Sequence, residues 1–247
     1  GATAQSKNKP VQDRVDTIYY DNNWNVINNK LFATYYRYAL YPVNSWSPKK
    51  IRTYYITGEL EGEGDFITLS RSNDKHSKFT GQYTNYHKNG QKSKTCEYRN
   101  GILEGEYTTF DDKGNVSLLC HYNNGKLNGE YTTYFENGNP SLTCFYKEDL
   151  LDGLYTTYYD TGFMHAHLKI VNGKQEGIST IFSENGETCT QYLYKDGKVE
   201  NYYLLVDKFG NFSVYNTKDD TPIYTTPTEA DQMMEYKNGA AWPYYNK

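Results

Sequence analysis

Residues 105–128 read GEYTTFDDKGNVSLLCHYNNGKLN, and residues 129–152 read GEYTTYFENGNPSLTCFYKEDLLD. Both stretches begin with Gly, continue with a strand-like run and contain another Gly nine residues further on. The same 24-residue frame extends back to Gly81 and forward through Gly153 and Gly177 without gaps. A fixed period of this length is typical of repeat proteins, so we interpret the chain as an array of small units.

The second glycine of each unit predicts a tight turn. It recurs in six successive units, at Gly90, Gly114, Gly138, Gly162, Gly186 and Gly210. Asn precedes it in three of them, and Asn-Gly pairs tolerate the positive φ angles of hairpin turns. Further pairs such as Asn124-Gly125 mark the return to the next unit, where only the third unit departs, with Asp149. Each unit therefore reads as strand, turn, strand, turn.

Aromatic residues recur in the first strand of each unit. They stand two residues after the first glycine, at Tyr83, Tyr107, Tyr131 and Tyr155, and five residues after it, at Tyr86, Phe110, Tyr134 and Tyr158. Tyrosine, which accounts for 28 of 247 residues, suits half-buried strands because its ring is apolar and its hydroxyl can stay in water. Because the two positions differ in parity, the rings reach both faces of a sheet unless a bulge intervenes. The sequence leaves the position of a bulge open.

These patterns predict an all-β fold, an elongated single-layer antiparallel sheet of tandem 24-residue β-hairpin repeats with short capping segments. One hairpin is too small to be stable alone, so neighbouring hairpins must bury one another's tyrosines. A helix over Leu31–Tyr41 is the alternative to a strand in the amino-terminal cap. The predicted order is a disordered N-terminus (1–15), a β cap (16–48), a degenerate first repeat with the polar insertion Ser70–Lys78 (49–80), the repeats (81–216), and a linker, short helix and aromatic tail (217–247).

The motif G-x-Y-x-x-[YF]-x-x-N-G, followed by a second strand and N-G-K, resembles the MORN-repeat variant family over residues 81–216. That variant is common in bacterial envelope proteins and in proteins associated with toxin-antitoxin systems. The resemblance implies a twisted antiparallel sheet, often curved into a groove, that contacts proteins or lipids and has no defined activity. The third unit departs from the family pattern at Asp149, and the fourth departs at His165–His167.

Cys96, Cys120 and Cys144 share one position in three successive units. Equivalent positions lie two strands apart, about 9.6 Å, whereas the Cα atoms of a disulfide lie within about 7 Å. Three thiols in a line also cannot surround a tetrahedral zinc ion. We therefore predict that they pack as small buried side chains. Cys189 stands at another position and has no evident partner.

His165 and His167 are spaced to lie on one face of a strand, a known arrangement of metal ligands, but the sequence marks no third ligand. We predict two polar-face histidines and no metal site. His76, His87 and His121 stand at three different places in the repeat, which argues against a cluster.

Glu59, Glu61, Glu63 and Asp65 alternate along one predicted strand. A solvated strand face explains this pattern better than a paired-carboxylate hydrolase site. The chain has no G-x-S-x-G, no phosphate-binding glycine loop and no H-E-x-x-H motif. We predict no catalytic residues and no cofactor.

The net charge is −4, and acidic and basic residues are evenly mixed along the chain, so the charge does not indicate nucleic acid or an anionic membrane as partner. No apolar run approaches the roughly 20 residues of a membrane helix. We predict a non-catalytic scaffold for protein–protein interaction, since tyrosine is a favoured anchor at interfaces. The alternative is glycan or cell-wall binding through exposed rings. The candidate contact residues are Tyr83, Tyr107, Tyr131, Tyr155, Tyr86, Tyr134 and Tyr158.

Ala2-Thr3-Ala4, followed by Gln5, has the small-x-small form of a signal-peptidase site. We therefore expect a secreted or periplasmic protein of the bacterial cell envelope from which the signal peptide has been removed. The alternative is the polar N-terminus of a cytoplasmic protein.

Overall fold

The structure, a computed structural model, describes residues 11–223. Over this range the chain forms 18 strands of one open antiparallel β-sheet, which confirms the predicted all-β fold of tandem hairpins. The predicted helix over Thr228–Tyr236 and the aromatic tail Trp242–Tyr245 lie outside the described residues. The chain divides into two units, residues 11–105 with 112–114 and residues 106–111 with 115–223.

The first unit contains strands β1 to β7. Strand β1 pairs with β2 and β3, and from β3 to β7 each strand pairs with the next. Two short 3-10 turns, Lys30–Phe32 and Asp74–His76, interrupt the connections. The strands are β1 (Arg14–Tyr20), β2 (Val26–Ile27), β3 (Tyr35–Tyr41), β4 (Lys49–Tyr55), β5 (Leu60–Thr68), β6 (Lys78–Tyr86) and β7 (Lys92–Arg99).

Strand β8 (Ile102–Phe110) spans the boundary between the units, and the second unit continues with β9 to β18. Its strands are β9 (Val116–Asn123), β10 (Lys126–Tyr134), β11 (Pro140–Lys147), β12 (Leu150–Leu151), β13 (Gly153–Tyr158), β14 (Met164–Val171), β15 (Lys174–Phe182), β16 (Thr188–Lys195), β17 (Lys198–Asp207) and β18 (Phe212–Asn216).

The ends of the described chain agree with expectation in part. Arg14 and Val15, assigned to a disordered segment, belong to β1, because β1 pairs with β3 along its whole length. In the segment Leu31–Tyr41 the predicted strand forms over Tyr35–Tyr41 after a 3-10 turn, and the alternative, a helix, is wrong. At the other end, the Ile223 amide donates to the Val214 carbonyl oxygen at 2.9 Å. The chain after β18 therefore turns back along the sheet.

The two turns of each unit have different backbone conformations. In the first turn the glycine alone is left-handed, as at Gly90 (φ 87°), whose amide donates to the His87 carbonyl at 2.9 Å. All six glycines of this series have positive φ. In the return turn both central residues are left-handed, as at Asn124 (φ 51°) and Gly125 (φ 81°). Such mirror-type turns match the twist of the flanking strands.

The third unit keeps the return turn although it lacks the glycine. Glu148 and Asp149 adopt φ values of 51° and 68°, a conformation that disfavours most side chains. Asp149 is held there by two contacts with Leu127, because its carboxylate accepts from the Leu127 amide at 2.7 Å and its own amide donates to the Leu127 carbonyl at 3.0 Å.

The aromatic rings of the second unit reach both faces of its sheet. The irregularity of β10 against β9 lies between Leu127 and Tyr131. The register shift after Thr133 adds Ser141 to β11 and no residue to β10, so Tyr131 and Tyr134 keep opposite orientations. We call the face that carries Tyr131, Cys120 and Cys144 the Cys face, and the face that carries Thr132 and Tyr134 the Thr face.

Each face buries a small side chain beneath longer neighbours. On the Cys face, Cys120 and Cys144 are buried on either side of Tyr131, whose ring packs edge-on against Tyr146 at 5.4 Å between centroids. On the Thr face, buried Thr132 donates to a Glu130 carboxylate oxygen at 3.1 Å. The prediction of buried, unbridged cysteines is confirmed at Cys96, Cys120 and Cys144, and Cys189 is also free and buried.

Two glycines of β5 make room for side chains of β6 in the first unit. A Cβ atom on Gly64 would lie 2.7 Å from Cδ2 of Tyr83, and one on Gly62 would lie 2.9 Å from Nδ2 of Asn85. Neither glycine has a positive φ, so the requirement at these positions is space. This packing allows Tyr83 and Asn85 to lie across β5.

We expect Gly64→Ala to lower the free energy of unfolding by about 1–3 kcal/mol, because the added methyl group overlaps the buried Tyr83 ring. Urea unfolding of the variant and the wild type measures this loss. The same substitution in a Tyr83→Ala background should cost less, because the overlapping ring has been removed. An equal cost in both backgrounds would contradict the packing explanation.

Candidate functional site

A buried ion pair holds the polar insertion of the first unit against the sheet. Arg37 of β3 is fully buried, and its Nη1 and Nη2 donate to the two carboxylate oxygens of Asp74 at 2.6 and 2.8 Å. The guanidinium also donates to the Tyr20 hydroxyl at 3.1 Å and to Thr53 Oγ1 at 2.8 Å. The charge is therefore both paired and hydrogen-bonded, as burial requires.

The insertion also pairs with the loop that follows β1. The Asp74 amide donates to the Trp24 carbonyl at 3.0 Å, and the Val26 amide donates to the Ser72 carbonyl at 2.7 Å. Asn73 Nδ2 donates to Asn25 Oδ1 at 2.9 Å. Residues 70–77 thus fold back over one face of the unit, where the sequence predicted only a stretched turn.

Beside these contacts lies a pocket of about 640 Å³, which we call the Glu61 pocket. Its lining includes the rings of Trp24, Phe79 and Tyr98 together with the polar side chains of Glu61 and Asn85. Tyr83, which the sequence nominated as a contact residue, is buried and also lines this pocket.

A bulge directs Glu61 into the pocket. Thr53 pairs with Gly62 and Tyr54 pairs with Leu60, so Glu61 is the extra residue of β5. It is 8% exposed, and its Oε1 accepts a hydrogen bond from Asn85 Nδ2 at 2.8 Å.

The prediction of one charged face from Glu59 to Asp65 is therefore wrong at Glu61. Glu63 and Asp65 do share a face, where they form exposed ion pairs with Arg52 at 3.2 Å and Lys50 at 3.3 Å. The sequence shows alternation but not the bulge that breaks it.

Burial raises the pKa of the Glu61 carboxyl group. The hydrogen bond from Asn85 and the charges of Arg37 and Lys94 lower the pKa, and the charge of Asp74 adds to the rise. The folded protein therefore holds this proton more tightly than the unfolded chain does. The contribution of protonated Glu61 to the stability of the fold is complete below the pKa that Glu61 has in the unfolded chain. It is lost as the pH rises through the higher pKa that Glu61 has in the folded protein.

We expect Glu61→Gln, which keeps the shape but has no charge, to become more stable relative to the wild type as pH rises above about 4.3, the ordinary pKa of Glu. Urea unfolding across a pH series measures the difference. Glu63→Gln, on the exposed face, serves as the control. If the difference in unfolding free energy between Glu61→Gln and the wild type does not change with pH, the raised pKa of the Glu61 carboxyl group is contradicted.

The predicted contact tyrosines divide between the two faces. Tyr107 and Tyr131 are half-buried and pack against Tyr122 and Tyr146 at centroid distances of 5.5 and 5.4 Å, and Tyr155 stands opposite Leu168. Tyr134 and Tyr158 lie on the Thr face of the second unit, where Tyr158 Oη is 3.4 Å from Thr143 Oγ1. In the first unit, Tyr86 donates to a Glu63 carboxylate oxygen at 2.8 Å.

The Thr face also carries an apolar pair that sequence analysis missed. Phe145 of β11 and Leu154 of β13 are 42% and 50% exposed, and a Cβ atom on Gly153 would lie 3.1 Å from the Phe145 Cβ. Thr143 of β11 pairs with Thr156 of β13 on the Thr face. Phe145 and Leu154 lie two positions away on these strands, so they lie on the Thr face as well. We call Phe145, Leu154, Tyr134 and Tyr158 the Thr-face patch.

The two histidines of β14 do not share a face. His167 Nδ1 is 2.9 Å from Thr156 Oγ1, whereas His165 Nδ1 is 3.1 Å from Thr157 Oγ1. Adjacent strand residues point to opposite faces. The prediction that both histidines lie on one face is wrong because His165 is the extra residue of a bulge. Within residues 11–223 no three His, Cys, Asp or Glu side chains are grouped as metal ligands would be.

A family model described as MORN repeat variant matches residues 79–100, 103–124 and 127–148. Repeats of this family are generally modules that bind proteins or lipids, and the family is not an enzymatic one. The comparison with curated proteins gave no match. No helix among the described residues is long and apolar enough to cross a membrane.

Proposed function

We propose that this chain, which carries MORN-variant repeats over residues 79–148, is a non-catalytic scaffold that binds another protein through the Thr-face patch. The observation that carries the proposal is the exposed pair Phe145 and Leu154. Scattered apolar residues are normal on protein surfaces, but neighbouring ones that interrupt a polar pattern indicate a contact site.

The repeat itself shows the interruption. The position of Phe145 is occupied by Glu97 and His121 in the two preceding units, and the position of Leu154 is occupied by Glu106 and Glu130. Among the first four junctions between units, only that of the third and fourth units carries large apolar side chains at both positions. This change alters the surface without altering the hairpin frame.

The surroundings of the pair resemble the rim of an interface. Glu130 pairs with Phe145 on one side, and Lys169 pairs with Leu154 on the other. A central apolar contact flanked by polar residues is the usual anatomy of a protein–protein interface. Tyr134 and Tyr158 add aromatic side chains, which are favoured anchors at such sites.

The proposed place of action is the bacterial cell envelope. The tripeptide Ala2-Thr3-Ala4 supports this location, because it has the form that signal peptidase recognises. A cytoplasmic location is the alternative, and fractionation of the source cells with an antibody against the chain distinguishes the two.

A photo-reactive phenylalanine tests where the partner binds. Placed at Phe145, it should form a cross-link to one protein of the source cells. Placed at Phe209, which is 81% exposed in a turn of the same unit, it should not. Cross-linking at Phe209 alone, or to equal extent at both positions, would reject the Thr-face patch as the binding surface.

A further inference from the structure

We propose that the Glu61 pocket binds a saccharide, whose hydroxyl groups donate hydrogen bonds to Glu61 and Asn85 while its ring lies against an aromatic side chain. The proposal concerns the first unit alone. It does not depend on protein binding by the Thr-face patch, so either proposal can fail without the other.

The pocket has the size and rigidity of a small-molecule site. Its volume of about 640 Å³ lies within the roughly 300–1,000 Å³ that such sites occupy. Trp24 stacks on Tyr35 with 4.2 Å between ring centroids and 7° between their planes, so its orientation is fixed. Trp24 also has a φ of 63°, which is unfavourable for a bulky residue. Strain of this kind is found where a site holds a side chain in place.

The polar groups of the pocket require donors. Glu61 Oε2 and Asn85 Oδ1 are buried acceptors, and no described residue donates a hydrogen bond to either. A buried acceptor without a donor is costly, so a ligand that supplies donors gains from binding here. Both oxygens are shielded from solvent. The proposed binding step therefore includes rotation of the Glu61 carboxylate about its Cγ–Cδ bond, which turns it toward the ligand. Neighbouring hydroxyl groups of a sugar supply two donors at once.

The charges of the pocket favour a neutral ligand. The Arg37 guanidinium carbon lies 4.9 Å from the Tyr20 ring centroid and 5.7 Å from that of Phe79. Arg37 therefore already fills the place beside these rings where a cationic ligand would bind. Lys75 and Lys94 also line the pocket and would repel a second cation. An anion would add further acceptors where donors are needed. A saccharide combines neutral charge, hydroxyl donors and an apolar ring face.

Tryptophan fluorescence provides a direct test, because the chain has 3 tryptophans, and of the two within residues 11–223 Trp24 lines the pocket and Trp46 does not. In a Trp46→Phe/Trp242→Phe variant of the full chain, Trp24 is the sole reporter. We expect saturable changes with at least one of glucose, galactose, mannose, N-acetylglucosamine or their short oligomers. Lysine methyl ester and inorganic phosphate serve as cationic and anionic probes and should have no effect.

Two substitutions test the hydrogen bonds. In the same background, Glu61→Gln should weaken saccharide binding by about tenfold or more, as expected for loss of a hydrogen bond to a charged acceptor. Asn85→Ala should weaken it as well, so a folding defect in one variant does not decide the outcome. Glu63→Gln, on the opposite face, should bind as the parent does. No response to any saccharide, a response to the charged probes alone, or unchanged affinity in folded Glu61→Gln would overturn the proposal.

Discussion

Replacement of Asp74 by Ala is expected to destabilise the protein by about 3–5 kcal/mol. The reason is that the substitution leaves the fully buried Arg37 guanidinium without its carboxylate partner. An unpaired buried charge costs far more than an ion pair at the surface. Urea unfolding followed by tyrosine and tryptophan fluorescence measures the loss.

Asp65→Ala is the matched control, because its partner Lys50 is exposed and surface ion pairs contribute only about 0–1 kcal/mol. The double variant Arg37→Met/Asp74→Leu removes both charges and should recover most of the stability. If Asp74→Ala costs no more than Asp65→Ala, the ion pair does not hold the insertion in place.

Replacement of Phe182 by Ala is expected to cost about 3–5 kcal/mol, the range for truncation of a buried aromatic side chain. Phe182 is almost fully buried in the apolar cluster of the second unit. Its neighbours there are Cys189, Leu204, Val206 and Val214, and Ile223 packs against them. The cavity left by the ring cannot be filled by these shorter side chains.

The exposed Phe209 provides the control for this substitution. Phe209→Ala removes the same atoms from a side chain that is 81% exposed, so it should change the stability by less than about 0.5 kcal/mol. Thermal unfolding of the two variants compares the sites directly. Equal midpoints would contradict the placement of the apolar core at Phe182.

The hairpin array was predictable because its signals are local. Within residues 81–216 a glycine with positive φ marks every turn except the return turn of the third unit, and the period of 24 residues repeats those marks in register. The buried cysteines were predictable on the same basis, because one shared position in the repeat implies one shared environment. The different conformations of the two turns were not predictable, since Asn-Gly occurs in both.

The candidate sites depend on contacts and bulges that do not recur with the 24-residue period of the sequence. Arg37 and Asp74 are 37 positions apart and meet only because the insertion folds back over the sheet. The bulges at Glu61 and His165 reverse the face of single residues, and side-chain alternation alone does not reveal them. The contrast between Phe145 and its counterparts in other units was visible in the sequence, but its meaning required knowledge of the face on which Leu154 lies.

The affinity of the cross-linked partner for surface variants tests protein binding by the Thr-face patch most directly. Phe145→Ser/Leu154→Ser should reduce affinity about thirtyfold or more, as the loss of a central anchor predicts. The thermal midpoint should stay unchanged, because both side chains are exposed. Ile181→Ser, which removes an exposed side chain from the Cys face, should bind as the wild type does. Unchanged affinity in the double variant, or an equal loss in Ile181→Ser, would contradict binding through the Thr-face patch.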